Sequence, residues 1–373
     1  MGLPEQITEL VARGHAVSRS DLARALGVSP STVTVHVQAM LADGTLEEAG
    51  SGVSQGGRRP RVLKLAGGDA GVVLAADLGG THARVGAVGL TGELLTATNL
   101  LLQITDGPED TLARVAAALQ RVAPEGREVK AVSVALPGPV NFEAGRVELP
   151  SRMPGWSGFP VRDWLADHMG VPAVVENDAN VMALGEHHAR MGASGHSITV
   201  KIGTAIGSGI IVDGRLHRGA TWAAGDITHT RIEEAGDTPC TCGNLGCLET
   251  VASGAGLARL LREKGYLTHT TADVLRLTRE ADPIATSLVR RAGGYLGRAL
   301  SMVVNFFNPH AVFLTGGASS SEPFVAAVRS TIYESCHPLV TQSLTITPAE
   351  TAENAGLLGA GRLALETSVF TRS

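Results

Sequence analysis

The sequence is poor in aromatic residues, which make up 3% of the chain, and in cysteine, of which there are 4 among 373 residues. No apolar run approaches the ~20 residues that a membrane-spanning helix needs. The first residues, Met1-Gly2-Leu3-Pro4-Glu5, lack the basic segment followed by an apolar one that marks an export signal. A cytoplasmic protein without a membrane partner is therefore expected. The charge balance also lacks a basic excess. A formal net charge of −5 argues against indiscriminate nucleic-acid binding by the whole surface, yet leaves room for a local basic patch. What the chain does have is glycine, 46 residues, and 44% hydrophobic residues, the composition of a soluble globular protein with length for two or three domains.

Three of the four cysteines stand together. From His229 to Glu249 the chain reads H-T-R-I-E-E-A-G-D-T-P-C-T-C-G-N-L-G-C-L-E. Soft donors, close spacing and turn residues point to Zn2+, with His229, Cys240, Cys242 and Cys247 as a tetrahedral set if the loop folds back on itself. A reduced cluster without metal, or a disulfide, is the plainer alternative. Cys240 and Cys242, with only Thr241 between them, stand too close for an ordinary disulfide. Four protein donors leave no position for water, so such an ion is structural. It fixes a loop whose ends carry Asp226, His229 and Glu249.

The N-terminal region carries a different pattern. Apolar residues at Leu3, Ile7, Leu10 and Val11 have the spacing of one helical face. Ser18, with Asp21 three residues on, is placed to cap a second helix to Leu26, and Gly27-Val28-Ser29 makes the turn. Ser29 caps a third helix, with Pro30 at its first position, running through Met40 and Leu41. Helix, glycine turn, helix is the helix-turn-helix pattern, and the third helix offers Ser31, Thr32, Thr34, His36 and Gln38 to phosphates or base edges. Thr45–Glu48 and Val62–Leu65 are expected to pair as a wing, whose tip carries Arg58, Arg59 and Arg61, with Lys64 beyond. The alternative is a small helical interaction module with a solvated basic loop. Double-stranded operator DNA is the expected partner.

Further along, Val72–Asp77 runs through Leu78-Gly79-Gly80-Thr81 into a second strand, Ala83–Val88. The strand-turn-strand device recurs at Ser197–Gly214 around Gly203 and Thr204, which suggests two related lobes. A third turn at Gly316 and Gly317 follows the strand Ala311–Thr315. Such turns let backbone amides approach a phosphate, and Asp77 is placed to hold a metal-bound water; ordinary tight turns are the alternative. Strand Val171–Val175 ends in Glu176-Asn177-Asp178, where Asp178 is read from the residues alone as a helix cap. Segments 110–123, 288–305, 324–333 and 353–366 read as framework helices.

Asp226-Ile-Thr-His229 followed by C-x-C-G-x-x-G-C-L-E resembles the zinc-loop signature of the ROK family, which comprises repressors and sugar kinases. The regulator branch, similar to xylose and N-acetylglucosamine repressors, carries an N-terminal reader of the kind seen here. The resemblance implies an α/β fold class: a winged helix-turn-helix (1–66), a linker (67–71), and a two-lobed actin-like, hexokinase-type ATPase fold (72–373) with a zinc loop (229–247). It implies sugar contacts at Asn177, Asp178, Asp226, His229 and Glu249, with Asp178 as general base if phosphoryl transfer is retained. Nucleotide contacts, for ATP and Mg2+, fall on Asp77, Gly79, Gly80, Thr81, Gly203, Thr204, Gly316 and Gly317. Three departures stand out: Ala205 and Ser208 where kinases of the family show glycine, and Asp226 where they show Glu, with Thr228 two residues on. The function implied is a sugar-responsive transcriptional regulator, a repressor, working as a homodimer or homotetramer. The alternative is an ATP-dependent sugar kinase, glucokinase-like or bifunctional.

Overall fold

The computed structural model of the chain describes residues 3–12, 16, 18–51, 61–65 and 71–369. Its first helices begin where the caps stand: α1 spans Leu3–Ala12, α2 Arg19–Leu26 and α3 Pro30–Ala42. Ser18 Oγ accepts the Asp21 N–H at 3.2 Å and Ser29 Oγ the Thr32 N–H at 3.1 Å, each cap contributing about 1 kcal/mol. Gly27, at φ +64°, ends α2 in the left-handed conformation that a Cβ disfavours. β1 (Leu46–Ser51) and β2 (Arg61–Leu65) pair antiparallel, with Leu46 opposite Leu65 and Ser51 opposite Arg61. Both strands reach further toward the wing tip than 45–48 and 62–65. Ile7, Leu22, Val33, Val37, Leu46 and Leu63 are buried in the small core between helices and hairpin. Arg58, Arg59, Ala66 and residues 67–70 of the expected linker lie outside the described residues, and Gly71, the last linker residue, already belongs to a strand.

Two five-stranded sheets follow. The elements of the first region are β3 (Gly71–Leu78), β4 (His82–Gly89), β5 (Leu94–Leu101), α4 (Pro108–Val122) and β6 (Glu128–Leu136). Next come β7 (Val140–Asn141), β8 (Arg146–Val147), α5 (Val161–Met169), β9 (Ala173–Asn177) and α6 (Asp178–Met191). Then β10 (Ser197–Ile202), β11 (Ile206–Val212), β12 (Arg215–His217), α7 (Glu249–Ala252), α8 (Gly254–Arg262), α9 (Thr271–Arg279) and α10 (Pro283–Phe307). The chain finishes with β13 (Ala311–Thr315), α11 (Glu322–Ser335), α12 (Pro338–Thr341), β14 (Thr345–Pro348) and α13 (Ala355–Ala364).

The sheets run β5-β4-β3-β6-β9 and β12-β11-β10-β13-β14. Counted within each sheet, both orders are 3-2-1-4-5. In both, the first three strands are antiparallel neighbours and the fourth joins the first in parallel. The duplication announced by two glycine turns is thus a duplication of whole sheets, as the actin-like ATPase fold requires. Strand β3 reads as an unbroken apolar run because Val72 to Ala76 are buried, whereas β5 is an edge strand with mostly exposed side chains and gave no sequence signal.

The chain divides into two compact units. One contains residues up to Ala135, Pro160–Val175 and the segment from Ala360; the other contains Leu136–Phe159 and Glu176–Gly359. In the second, α10 approaches α11 closely because Gly293 and Gly297 lack side chains: an added Cβ would stand 2.5 Å from Phe324 O and 2.7 Å from Thr331 Cβ. The last framework helix is shorter than 353–366, with a 3-10 turn at Ala352–Asn354 before it and a π turn at Leu365–Val369 after it. Among the described residues no helix is long and apolar enough to cross a membrane.

Candidate functional site

The cysteine loop folds back as its spacing requires. Ile232 N–H donates to Gly246 O and Cys240 N–H to Asn244 O, both at 2.9 Å, while Gly243 (φ +92°) and Gly246 (φ +74°) take the turns. The donor atoms of His229, Cys240, Cys242 and Cys247 all lie within 4.8 Å of one another. Cys242 Sγ stands 3.7 Å from Cys247 Sγ, and His229 Nδ1 3.5 Å from Cys240 Sγ. A tetrahedral zinc with bonds of about 2.3 Å to sulfur and about 2.0 Å to nitrogen sets its donors about 3.5–3.8 Å apart, so the set fits this ion. A disulfide, at about 2.05 Å, is absent from the loop. Burial, then the neighbouring thiols Cys242 and Cys240, push the Cys247 thiol up to about 12. For Cys242 burial acts upward, but a backbone hydrogen bond from Asn244 and those of Cys240 and Cys247 bring it below the ordinary thiol value. A dication removes this conflict, because three crowded thiolates then share one positive centre.

At the end of β9 the residues do more than the sequence suggested. Asn177, not Asp178, is the N-cap of α6: its Oδ1 accepts the N–H groups of Ala179 (3.0 Å) and Asn180 (3.2 Å). The cap falls there because Asn177 has extended backbone, while Asp178 is already the first helical residue. Asn177 Nδ2 donates to Gly138 O at 3.0 Å, which fastens the Pro137-Gly138-Pro139 loop. Asp178 is buried, and its Oδ2 accepts from Lys201 Nζ at 2.5 Å. Lys201 had no expected role. Its signal was a cation within the otherwise buried strand Ser197–Ile202, where a charge needs a partner.

Glu176, fully buried, receives Arg218 Nε at 2.6 Å, the Asn177 N–H at 2.8 Å and Asn180 Nδ2 at 2.9 Å, and the Arg218 guanidinium lies 3.8 Å from the Phe142 ring centre. Glu249 is buried at the start of α7 and is bound by Arg152. Gly138 packs against Met153, beside Arg152, so a chain of contacts links Asn177 through this loop to Glu249. Asp226 is placed differently. It is exposed, accepts the Thr228 N–H at 3.2 Å, and lines a cavity with Ser208, Ile210, Ile227, Leu300 and Val303.

The departures have local explanations. Thr228 Oγ1 donates to Ile206 O at 2.6 Å and its backbone O accepts the Glu249 N–H at 3.1 Å, tying the loop to β11. Ser208 Oγ donates to Gly225 O. Neither Ala205 nor Ser208 has positive φ, so neither residue strains the turn. Gly203, Thr204, Gly316 and Gly317 gather at the ends of the parallel strands β10 and β13. A Cβ on Gly316 would stand 2.7 Å from Ile202 O, and Gly254 and Ala255 donate to Gly203 O and Thr204 O. Asp77 lies near the end of β3, opposite Arg84 of β4, and Gly79, Gly80 and Thr81 form the β3–β4 turn, closed by Gly79 N–H to His82 O at 2.8 Å.

In the reader, α3 turns Val33, Val37 and Met40 inward. Ser31 and Gln38 are exposed, and Thr32, Thr34 and His36 half-buried. Thr34 Oγ1 donates to Pro30 O at 2.8 Å, and the Ser31 and Thr32 hydroxyls lie 2.7 and 2.8 Å from Ser29 Oγ. Val35, 68% exposed, shares that face with the polar side chains, and its apolar type gave no sign in the sequence of a role at base edges. Arg61 is held by Glu48, which also binds Arg19 at 3.1 Å. These contacts, Arg61 foremost, lower the Glu48 carboxyl, and Glu48 raises Arg61 in turn.

Residues 73–367 match the profile of the ROK family, and residues 9–47 that of a winged helix-turn-helix DNA-binding domain. A glucokinase of Thermotoga maritima is 30% identical over 311 residues, covering 79% of this chain and 97% of the relative. A xylose repressor of Caldicellulosiruptor bescii is 26% identical over 372 residues, covering 95% and 92%. Among solved structures, a ROK family transcriptional regulator described as a homologue of the E. coli MLC protein superposes with a TM-score of 0.81. It covers 98% of this chain and 96% of its own, and at 24% identity the likeness bears on the fold alone. With the family profile spanning most of its length and the His-Cys loop inside that span, this chain belongs to the ROK family.

Proposed function

We propose that the protein is a sugar-responsive transcriptional repressor of the cytoplasm. The observation that carries this reading is one chain holding both a winged helix with a capped α3 and a ROK domain, matched over 95% of its length by a xylose repressor. In this reading residues 1–66 are the DNA reader, 67–71 the linker and 72–373 the sensor. Ser31, Thr32, Thr34, His36 and Gln38 reach the major groove, and Arg58, Arg59 and Arg61 serve the wing. The sugar is held by Asn177, Asp178, Asp226, His229 and Glu249, whose carboxylates accept its hydroxyls. His229 and the three thiolates hold a zinc whose role is structural, since four protein donors leave no place for water. Two readers joined in a homo-oligomer fit a palindromic operator.

Sugar binding then shifts a population between states of different operator affinity, and operator must change sugar affinity by the same factor. Calorimetric titration of a sugar panel with and without a selected operator duplex tests this. One sugar whose affinity changes when DNA is present supports the switch; equal affinity in both titrations removes it.

A second reading, an ATP-dependent sugar kinase, is favoured by the 30% identical glucokinase. The open turn at Gly203, where an added Cβ would meet nothing nearer than 3.8 Å, also supports it. Against it stands the ammonium of Lys201 on Asp178, the residue to which the general-base role would fall.

A further inference from the structure

The exposed side of α3 carries a stripe of Ser31, Val35 and Gln38, spaced four and three residues apart and therefore in line along one helical face, with the small side chains of Ala39 and Ala42 beyond it. Two members of the stripe can exchange hydrogen bonds with base edges. The one between them cannot. Val35 is 68% exposed, although the same helix buries Val33, Val37 and Met40 on its other side, so core packing does not account for it. A β-branched residue also gains nothing from an exposed helical position, where its side chain loses χ1 freedom.

In the major groove, a single base-pair feature rewards an apolar side chain: the C5-methyl group of thymine. We infer that Val35 is a specificity-determining residue that packs on a thymine methyl in each operator half-site. The inference rests on the reading of α3 as the DNA-reading helix. Gln38, one turn on, then faces the neighbouring base pair, where its amide matches the paired donor and acceptor of adenine.

The test uses the full chain. A random-sequence duplex pool is selected by binding, and each thymine of the recovered half-site is replaced in turn by deoxyuridine, which removes the methyl and leaves every hydrogen-bonding group. One thymine per half-site should prove sensitive, its replacement weakening the wild-type protein about fourfold. Val35→Ala should bind the unmodified site about as weakly as wild type binds the deoxyuridine site, and should show no further loss on the modified one. Val35→Thr, which keeps one methyl, should retain the sensitivity. Recovery of a defined site with no thymine whose effect depends on Val35 overturns the inference while leaving DNA reading intact. Failure to recover any preferred sequence overturns both.

Discussion

The Lys201 ammonium stands 2.5 Å from the Asp178 carboxylate, with both side chains largely withdrawn from solvent. A carboxylate so placed is already satisfied. To take a proton from a sugar hydroxyl it must first give up its counter-ion, whereas to accept a hydrogen bond from that hydroxyl it need only share its remaining lone pairs. The pair therefore suits ligand sensing better than phosphoryl transfer.

Replacing Lys201 by Met leaves Asp178 withdrawn from water without its partner. Thermal unfolding should show a loss of about 2 kcal/mol, less than for a fully buried pair because Lys201 keeps some solvent contact. With ATP, magnesium and a sugar panel, ADP release by wild type should equal that by Asp178→Asn. Turnover requiring both a sugar and Asp178 would make the kinase reading the correct one.

Metal analysis should find about one zinc per chain. Cys242→Ser should lose most of it and lower the unfolding temperature by at least ~5 °C. The pH dependence has a definite sign. Cys247 is pushed up to about 12 in the absence of metal, so zinc must displace a proton from it, and affinity falls as pH falls. Zinc retention unchanged between neutral pH and about pH 5, followed with a chelating dye, would contradict this.

Thr228→Val keeps the volume but removes the hydroxyl that donates to Ile206 O at 2.6 Å. The buried site leaves the carbonyl short of a donor, and a loss of about 1–2 kcal/mol is expected in denaturant unfolding. A neutral result would mean that the loop's backbone hydrogen bonds, among them Glu249 N–H to Thr228 O and Leu248 N–H to Thr230 O, position it without the hydroxyl.

Glu48 holds both Arg61 of the wing and Arg19 of α2. Glu48→Gln should free both guanidiniums, raise affinity for DNA of any sequence at low salt, and steepen the plot of log affinity against log salt by about 1. An unchanged slope would place Arg61 away from the phosphates.

The reader and the zinc loop were legible in the sequence because their signals are local. Ser18, Gly27 and Ser29 mark helix ends by themselves, and one His with three cysteines at close spacing has few other meanings. The sheet duplication was visible only as two glycine turns, since strand order is set by pairings between residues far apart in the chain. Lys201–Asp178 and Arg152–Glu249 were illegible for the same reason: 23 and 97 residues separate the partners. The residues alone point to Asp178 as the cap, whereas Asn177 holds it: both are good capping residues, and only the backbone conformation chooses between them.

The most direct measurement is fluorescence anisotropy of the full-length protein on a selected operator duplex, titrated with pentoses, hexoses and N-acetylhexosamines. One sugar should change operator affinity by about fivefold or more. Asp178→Asn should abolish that response while binding the duplex as tightly as wild type does without sugar. Operator affinity that no sugar alters, in a protein that phosphorylates one of them, would contradict a sugar-responsive repressor.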